Sequence, residues 1–209
     1  MNVFILNAGR SGSKTFARAC DHITNFTSAH ESRSGLLGDA HFDYPDNHIE
    51  SDNRLSWMLG RLDQRYGDSA FYVHLTRDPS LVAASWARRS YTGMMNAYRY
   101  AILWHCPKDA TPVAVTLDYC DTVTENIRLF LRDKRNWMDF RLEEGQERFP
   151  EFWRRIGAEG SLTAALAEFD VKHNAAWDRR PEVEPGVLTR IGSKLYRIGR
   201  KLPVFLRNA

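Results

Sequence analysis

The chain has 209 residues, 43% of them hydrophobic and 26% charged, with a formal net charge of +3 at pH 7. That length suits one α/β domain with a sizeable core and argues against two. The mild positive charge is no signature of nucleic-acid binding and fits an anionic small ligand.

Taken in chain order, "NVFILN" (2–7) is a short apolar run of β-formers and predicts a buried, parallel strand. A Gly/Ser loop follows, and "SKTFARACDHI" spaces Phe16, Ala17, Cys20 and Ile23 for a helix starting at about Ser13. "NFTSA" (25–29) reads as a weaker strand. Residues 32–53, rich in Gly, Ser, Asp and Asn, read as a long loop with at most a helical turn; loops of that length are often functional. "RLSWMLGRLDQRYG" puts Leu55, Met58, Leu59 and Leu62 on one helical face. "SAFYVHLT" (69–76) is a strand, and "DPSLVAASWARRS" a helix with Pro79 in its first turn.

Residues 93–115 carry no clear period. "TVTENIRLFLRDK" is helical, "NWMDFRLEE" a late strand, and "RFPEFWRRIG" and "SLTAALAEF" short helices. Strands alternating with helices predict an α/β fold: a three-layer, P-loop-like arrangement with a mainly parallel central sheet. The domain is expected over 1–178, followed by a charged, Pro-containing linker (179–186) and a basic amphipathic C-terminal helix (187–209).

The chemistry concentrates in "NAGRSGSKT" (7–15). A loop for nucleoside triphosphates follows G-x-x-x-x-G-K-[ST], but Ala8 and Ser13 stand where the two glycines belong, while Lys14 and Thr15 fit. Strand, glycine loop and helix N-terminus still make an anion cradle. Gly9 and Gly12 allow unusual backbone, Ser11, Ser13 and Thr15 offer hydroxyls, and Arg10 and Lys14 bring charge. The bland alternative is a Gly/Ser turn with a capping serine. A second constellation is "YVHLTRDPSLVAASW": Arg77 ends a strand, where open α/β sheets bind ligands, and Ser85 lies eight residues on. These two can hold a second phosphate, or Arg77 can simply pair with Asp78.

Together the two segments resemble the sulfotransferase superfamily, whose members use 3′-phosphoadenosine 5′-phosphosulfate (PAPS) as sulfate donor. "GRSGSK" is similar to that family's P-[KR]-S-G-T-T loop, with Gly9 for Pro, Ser13 for Thr and Lys14 for Thr. "RDPSLVAAS" is similar to its R-D-P strand end followed by a serine. The likeness covers residues 2–31 and 70–90, and more loosely "NWMDFRLEEGQERFPEFWRRIG". It implies that Arg10, Ser11, Gly12, Ser13, Lys14 and Thr15 bind the 5′-phosphosulfate and that Arg77 and Ser85 bind the 3′-phosphate. It further implies that Arg10 is catalytic and that no metal is required.

An acceptor hydroxyl must lose a proton, and a well-placed base contributes roughly 10²–10⁴-fold. In "AHES", Glu31 is the favoured base, with His30 as alternate and His41 third; an Arg-paired surface carboxylate is the competing expectation for Glu31. Lys172 and Asn174 in "KHN" are weak candidates to close over the nucleotide. Trp86, Tyr91, Tyr98, Tyr100 and Trp104 can stack on an acceptor or fill the core, and a carbohydrate or glycolipid hydroxyl is a mild preference.

Cys20, Cys106 and Cys120 lack disulfide-framework or zinc-site spacing and are expected as free thiols in a reducing compartment. With no basic leader region and no apolar run near ~20 residues, a cytoplasmic protein is expected. The basic amphipathic tail can contact an anionic membrane, a partner subunit or its own domain. The other functional readings are a P-loop small-molecule or nucleoside kinase and a non-catalytic nucleotide-binding module that recruits a partner through its tail.

Overall fold

The computed structural model describes residues 1–88 and 93–171. Tyr91, Lys172, Asn174, the 179–186 linker and the 187–209 helix lie outside the described residues.

Five strands form one sheet: β1 (Val3–Leu6), β2 (Thr27–His30), β3 (His48–Ser51), β4 (Phe71–Thr76) and β5 (Trp137–Arg141). Their order is β2-β3-β1-β4-β5, and every neighbouring pair is parallel. All five carboxyl ends therefore open on one edge. Among the described residues, seven α-helices accompany them: α1 (Ser13–Cys20), α2 (Leu59–Tyr66), α3 (Pro79–Ala87), α4 (Gly93–Ala97), α5 (Pro112–Leu131), α6 (Gly145–Ile156) and α7 (Leu162–Ala167). No helix among the described residues is long and apolar enough to cross a membrane.

The expected three-layer α/β architecture follows from the period of two in the strands. Phe4 and Leu6 of β1, with Tyr72 of β4, pack under Leu62 of α2, Val82 and Trp86 of α3 and the buried face of α5. Val3 and Ile5, with Val73, Leu75, Met138 and Phe140, pack on the opposite face against Phe16 of α1, Phe149 and Phe152 of α6 and Ala165 of α7. Phe16 sits at the centre of that second layer, with ring centroids 4.9 Å from Phe140 and 5.0 Å from Phe152.

The chain leaves β1 through α1 on one face and leaves β4 through α3 on the other. Because β1 and β4 are neighbours, their following loops diverge and leave a crevice at the carboxyl edge, the place where open α/β sheets hold ligands.

The segment 32–53 is not one long loop, because it contains β3, the strand beside β1. "HIES" hides its strand character behind three buried polar residues, His48, Glu50 and Ser51. His48 Nδ1 lies 2.7 Å from Thr27 Oγ1, and His48 Nε2 lies 3.2 Å from Glu50 Oε2. Glu50, fully buried, also accepts from Ser32 N at 3.1 Å and from the Ser32 hydroxyl. Burial alone raises the Glu50 carboxyl pKa, yet hydrogen bonds from His48 and Ser32 bring it below the ordinary value.

Two helices also differ from expectation. The helix expected over 54–67 divides into a 3₁₀ turn (Asn53–Trp57) and α2, broken where Met58 leaves helical geometry at φ −127. The helix expected from residue 122 begins ten residues earlier. Thr111 caps it by accepting from Ala114 N, and Pro112 occupies its first turn.

Candidate functional site

The loop between β1 and α1 is held from below before it can hold anything above. Asn7 Oδ1 accepts from Gly9 N at 2.8 Å, and Asn7 Nδ2 donates to Ile5 O at 3.2 Å. Ser56 Oγ accepts from Asn7 N and donates back to Asn7 O, at 3.2 and 3.1 Å. The loop then passes through left-handed backbone at Gly9 (φ 75), Arg10 (φ 58) and Gly12 (φ 91). A Cβ on Gly9 would lie 2.7 Å from Trp86 Cζ2 and 2.9 Å from Asn53 Nδ2, and one on Gly12 would lie 2.5 Å from Leu142 Cδ1. Glycine is required at both positions by conformation and by space. Gly12 is also the N-cap of α1, so no side chain caps the helix there, and its first turn carries no acidic residue. The positive end of α1 is thus left open to an anion.

Three groups from the β4–α3 segment close on this loop. Arg10 Nε donates to Ser85 Oγ at 2.9 Å, Arg77 Nη1 donates to Arg10 O at 3.4 Å, and Trp86 Nε1 donates to Ala8 O at 3.2 Å. The two sequence segments singled out above are therefore one site in space. Arg77 is not claimed by Asp78, whose carboxylate caps α3 by accepting from Ser80 N at 2.8 Å and Leu81 N at 3.3 Å. Asp78 N in turn donates to Glu143 Oε1 at 2.9 Å. Arg77 Nε is buried with no hydrogen-bond partner, an arrangement that calls for an acceptor.

On the other flank, Ser13 Oγ and His30 Nε2 are hydrogen-bonded at 3.1 Å, and Ser51 Oγ donates to Ser13 O at 3.2 Å. Glu31, in left-handed backbone at φ 56, takes the Arg-paired alternative, with its Oε1 3.0 Å from Arg54 Nη1. Asp52 directly follows β3. It is fully buried, accepts from Arg54 N at 2.8 Å, and has its carboxyl pKa raised by burial. His41 is buried too, with its Nδ1 3.1 Å from Leu36 O. Lys14, in the first turn of α1, is exposed.

Trp86 and Tyr98 fill the core, while Tyr100 and Trp104 are exposed. Sequence reasoning missed Asn53, Ser56 and Leu142, which shape the glycine loop, and Arg54, which orients Glu31. The only local hint for the first was the Asp-Asn pair directly after Ser51.

A cleft of about 370 Å³ continues from the loop along the α5 side of the sheet, and Ser11, His74, Arg77, Asp121, Arg128 and Arg141 are among the residues that line it. No protein-family model matches the chain, and no curated protein matches it.

Proposed function

We propose that the chain transfers a sulfuryl group from PAPS to an acceptor hydroxyl. The observation that carries this reading is the convergence of Arg77 and Ser85 on Arg10. Residues 67 and 75 positions apart in sequence meet in direct hydrogen bonds at the carboxyl edge. Two features fit a nucleotide with two separate phosphate-type groups. The first is a glycine loop with no room for a Cβ at either end, and the second is the buried, unpartnered Nε of Arg77.

PAPS, when bound, supplies a sulfuryl group already activated on a phosphate leaving group. The chain's part is to stabilise charge and to take a proton. Arg10 would stabilise the negative charge that develops on the leaving oxygen. A guanidinium does not give up a proton near neutral pH, so this help is electrostatic. Glu31 accepts the acceptor's proton as the new oxygen–sulfur bond forms and the sulfur–phosphate oxygen bond breaks. Arg54 fixes the direction of the Glu31 carboxylate. His30, hydrogen-bonded to Ser13, holds the hydroxyl of the loop serine. The acceptor class favoured is a carbohydrate or glycolipid hydroxyl.

Thermal shift tests the donor class. Adenosine 3′,5′-bisphosphate raises Tm without added metal, and transfer of radiolabelled sulfate from PAPS to an acceptor panel follows. Stabilisation by Mg-ATP and none by the bisphosphate would replace this reading with a kinase. Bisphosphate binding with no transfer to any acceptor would favour a non-catalytic module.

A further inference from the structure

The resemblance places the 3′-phosphate on Arg77 and Ser85, but in the structure the Ser85 hydroxyl is turned to Arg10. The positive charge that a second phosphate meets beside Arg77 comes from elsewhere. Arg128, on α5, and Arg141, the last residue of β5, line the same cleft as Arg77 and Ser11. The helix and the strand follow one another in the chain, but Arg77 precedes both by more than 50 positions, so this grouping has no signature in sequence spacing.

Both side chains are only lightly engaged. Arg128 Nη1 lies 3.1 Å from Glu125 Oε1, with both side chains more than half exposed. Arg141 lies 3.9 Å from Glu143 and 3.7 Å from Glu144. Exposed pairs of this kind hold their partners weakly, so a phosphate can displace them. The acids Asp121 and Glu125 also line the cleft, leaving three guanidiniums against two carboxylates. His74, 2% exposed, lines it too, with its Nδ1 3.0 Å from Asp139 Oδ1. The guanidinium of Arg128 acts on His74, adding to the effect of burial in lowering its pKa. The volume of about 370 Å³ lies within the ~300–1,000 Å³ of small-molecule sites.

We infer that Arg128 and Arg141, together with Arg77, bind the 3′-phosphate of the donor in the cleft between α3, α5 and the carboxyl ends of β4 and β5. This rests on the donor being a 3′-phosphorylated adenine nucleotide. Guanidinium is suited to the task because its planar fork donates two parallel hydrogen bonds to a phosphate.

Calorimetric titration of the full chain with adenosine 3′,5′-bisphosphate and with adenosine 5′-monophosphate tests it. The two ligands differ only in the 3′-phosphate. Arg128→Gln and Arg141→Gln each weaken bisphosphate binding about tenfold and leave the monophosphate within about twofold. Arg154→Gln, an exposed change on α6 across the sheet, moves neither and controls for net charge. Full bisphosphate affinity in the Arg128→Gln/Arg141→Gln double variant overturns the inference and leaves the donor reading intact. Equal loss of both ligands overturns it as well, since the effect would not belong to the 3′-phosphate. A wild-type chain that does not prefer the bisphosphate removes the donor reading, and this inference with it.

Discussion

Arg10 and Ser85, 75 positions apart, are joined by a 2.9 Å hydrogen bond from the guanidinium Nε to the serine hydroxyl. One end of that bond belongs to the loop after β1 and the other to the helix after β4. The contact therefore exists only because the sheet sets those two strands side by side.

Arg10 combines strain with charge. Its backbone is left-handed, where a non-glycine residue costs of order 1–3 kcal/mol. Arg10→Gly relieves that conformation but deletes the guanidinium. We expect the relief of backbone strain to be offset by loss of the hydrogen bond to Ser85, leaving Tm close to the parent's, and sulfate transfer to fall 10²-fold or more. Arg10→Lys keeps a charge and retains part of the rate. A wild-type rate in Arg10→Gly would remove Arg10 from the chemistry.

The loop glycines are sensitive to size. Gly12→Ala drives a methyl into Leu142 and holds alanine at positive φ. The expected destabilisation is about 1–3 kcal/mol, or some 2–12 °C in Tm for a domain of this size. Adding Leu142→Ala removes the clash and recovers part of the loss, though not the part due to φ. Strictly additive effects in that double-mutant cycle would contradict the contact.

Glu31→Gln removes the favoured base while keeping an oxygen toward Arg54. Transfer is expected to fall about 10²-fold with affinity for adenosine 3′,5′-bisphosphate unchanged. His30→Gln instead disturbs Ser13 and is expected to weaken donor binding. If His30→Gln abolishes turnover and Glu31→Gln does not, the base is His30.

His74 gives stability a pH dependence. Burial holds its pKa below the ordinary value, so the folded state keeps the ring neutral while the unfolded chain protonates near pH 6.5. Its contribution is complete above about pH 6.5 and is lost as pH falls toward the folded-state pKa, with a slope of at most about 1.4 kcal/mol per pH unit. Glutamine can still donate to Asp139 but does not titrate. Denaturant unfolding between pH 5 and 7 should therefore show a flatter profile for His74→Gln than for the parent. Parallel profiles would assign the dependence to other groups.

Residues close in sequence, whose pattern needs no partner to be read, were legible from the start. The apolar run of β1, the glycine loop and the helix starting at Ser13 all stand where their local chemistry puts them. So do the helix opened by Pro79 and the α/β class. Hydrophobic period and turn chemistry are properties of a few consecutive residues. β3 was not legible, because His48 and Glu50 are acceptable in a buried strand only when Thr27 and Ser32 satisfy them. Without β3, the position of Asn53 beside the glycine loop, and of Arg54 beside Glu31, had no basis. The grouping of Arg77, Arg128 and Arg141 likewise depends on how α5 lies over the sheet. The local sequence determined the pieces of the site. Only parallel pairing and burial, which act between residues dozens of positions apart, decided which pieces share one edge.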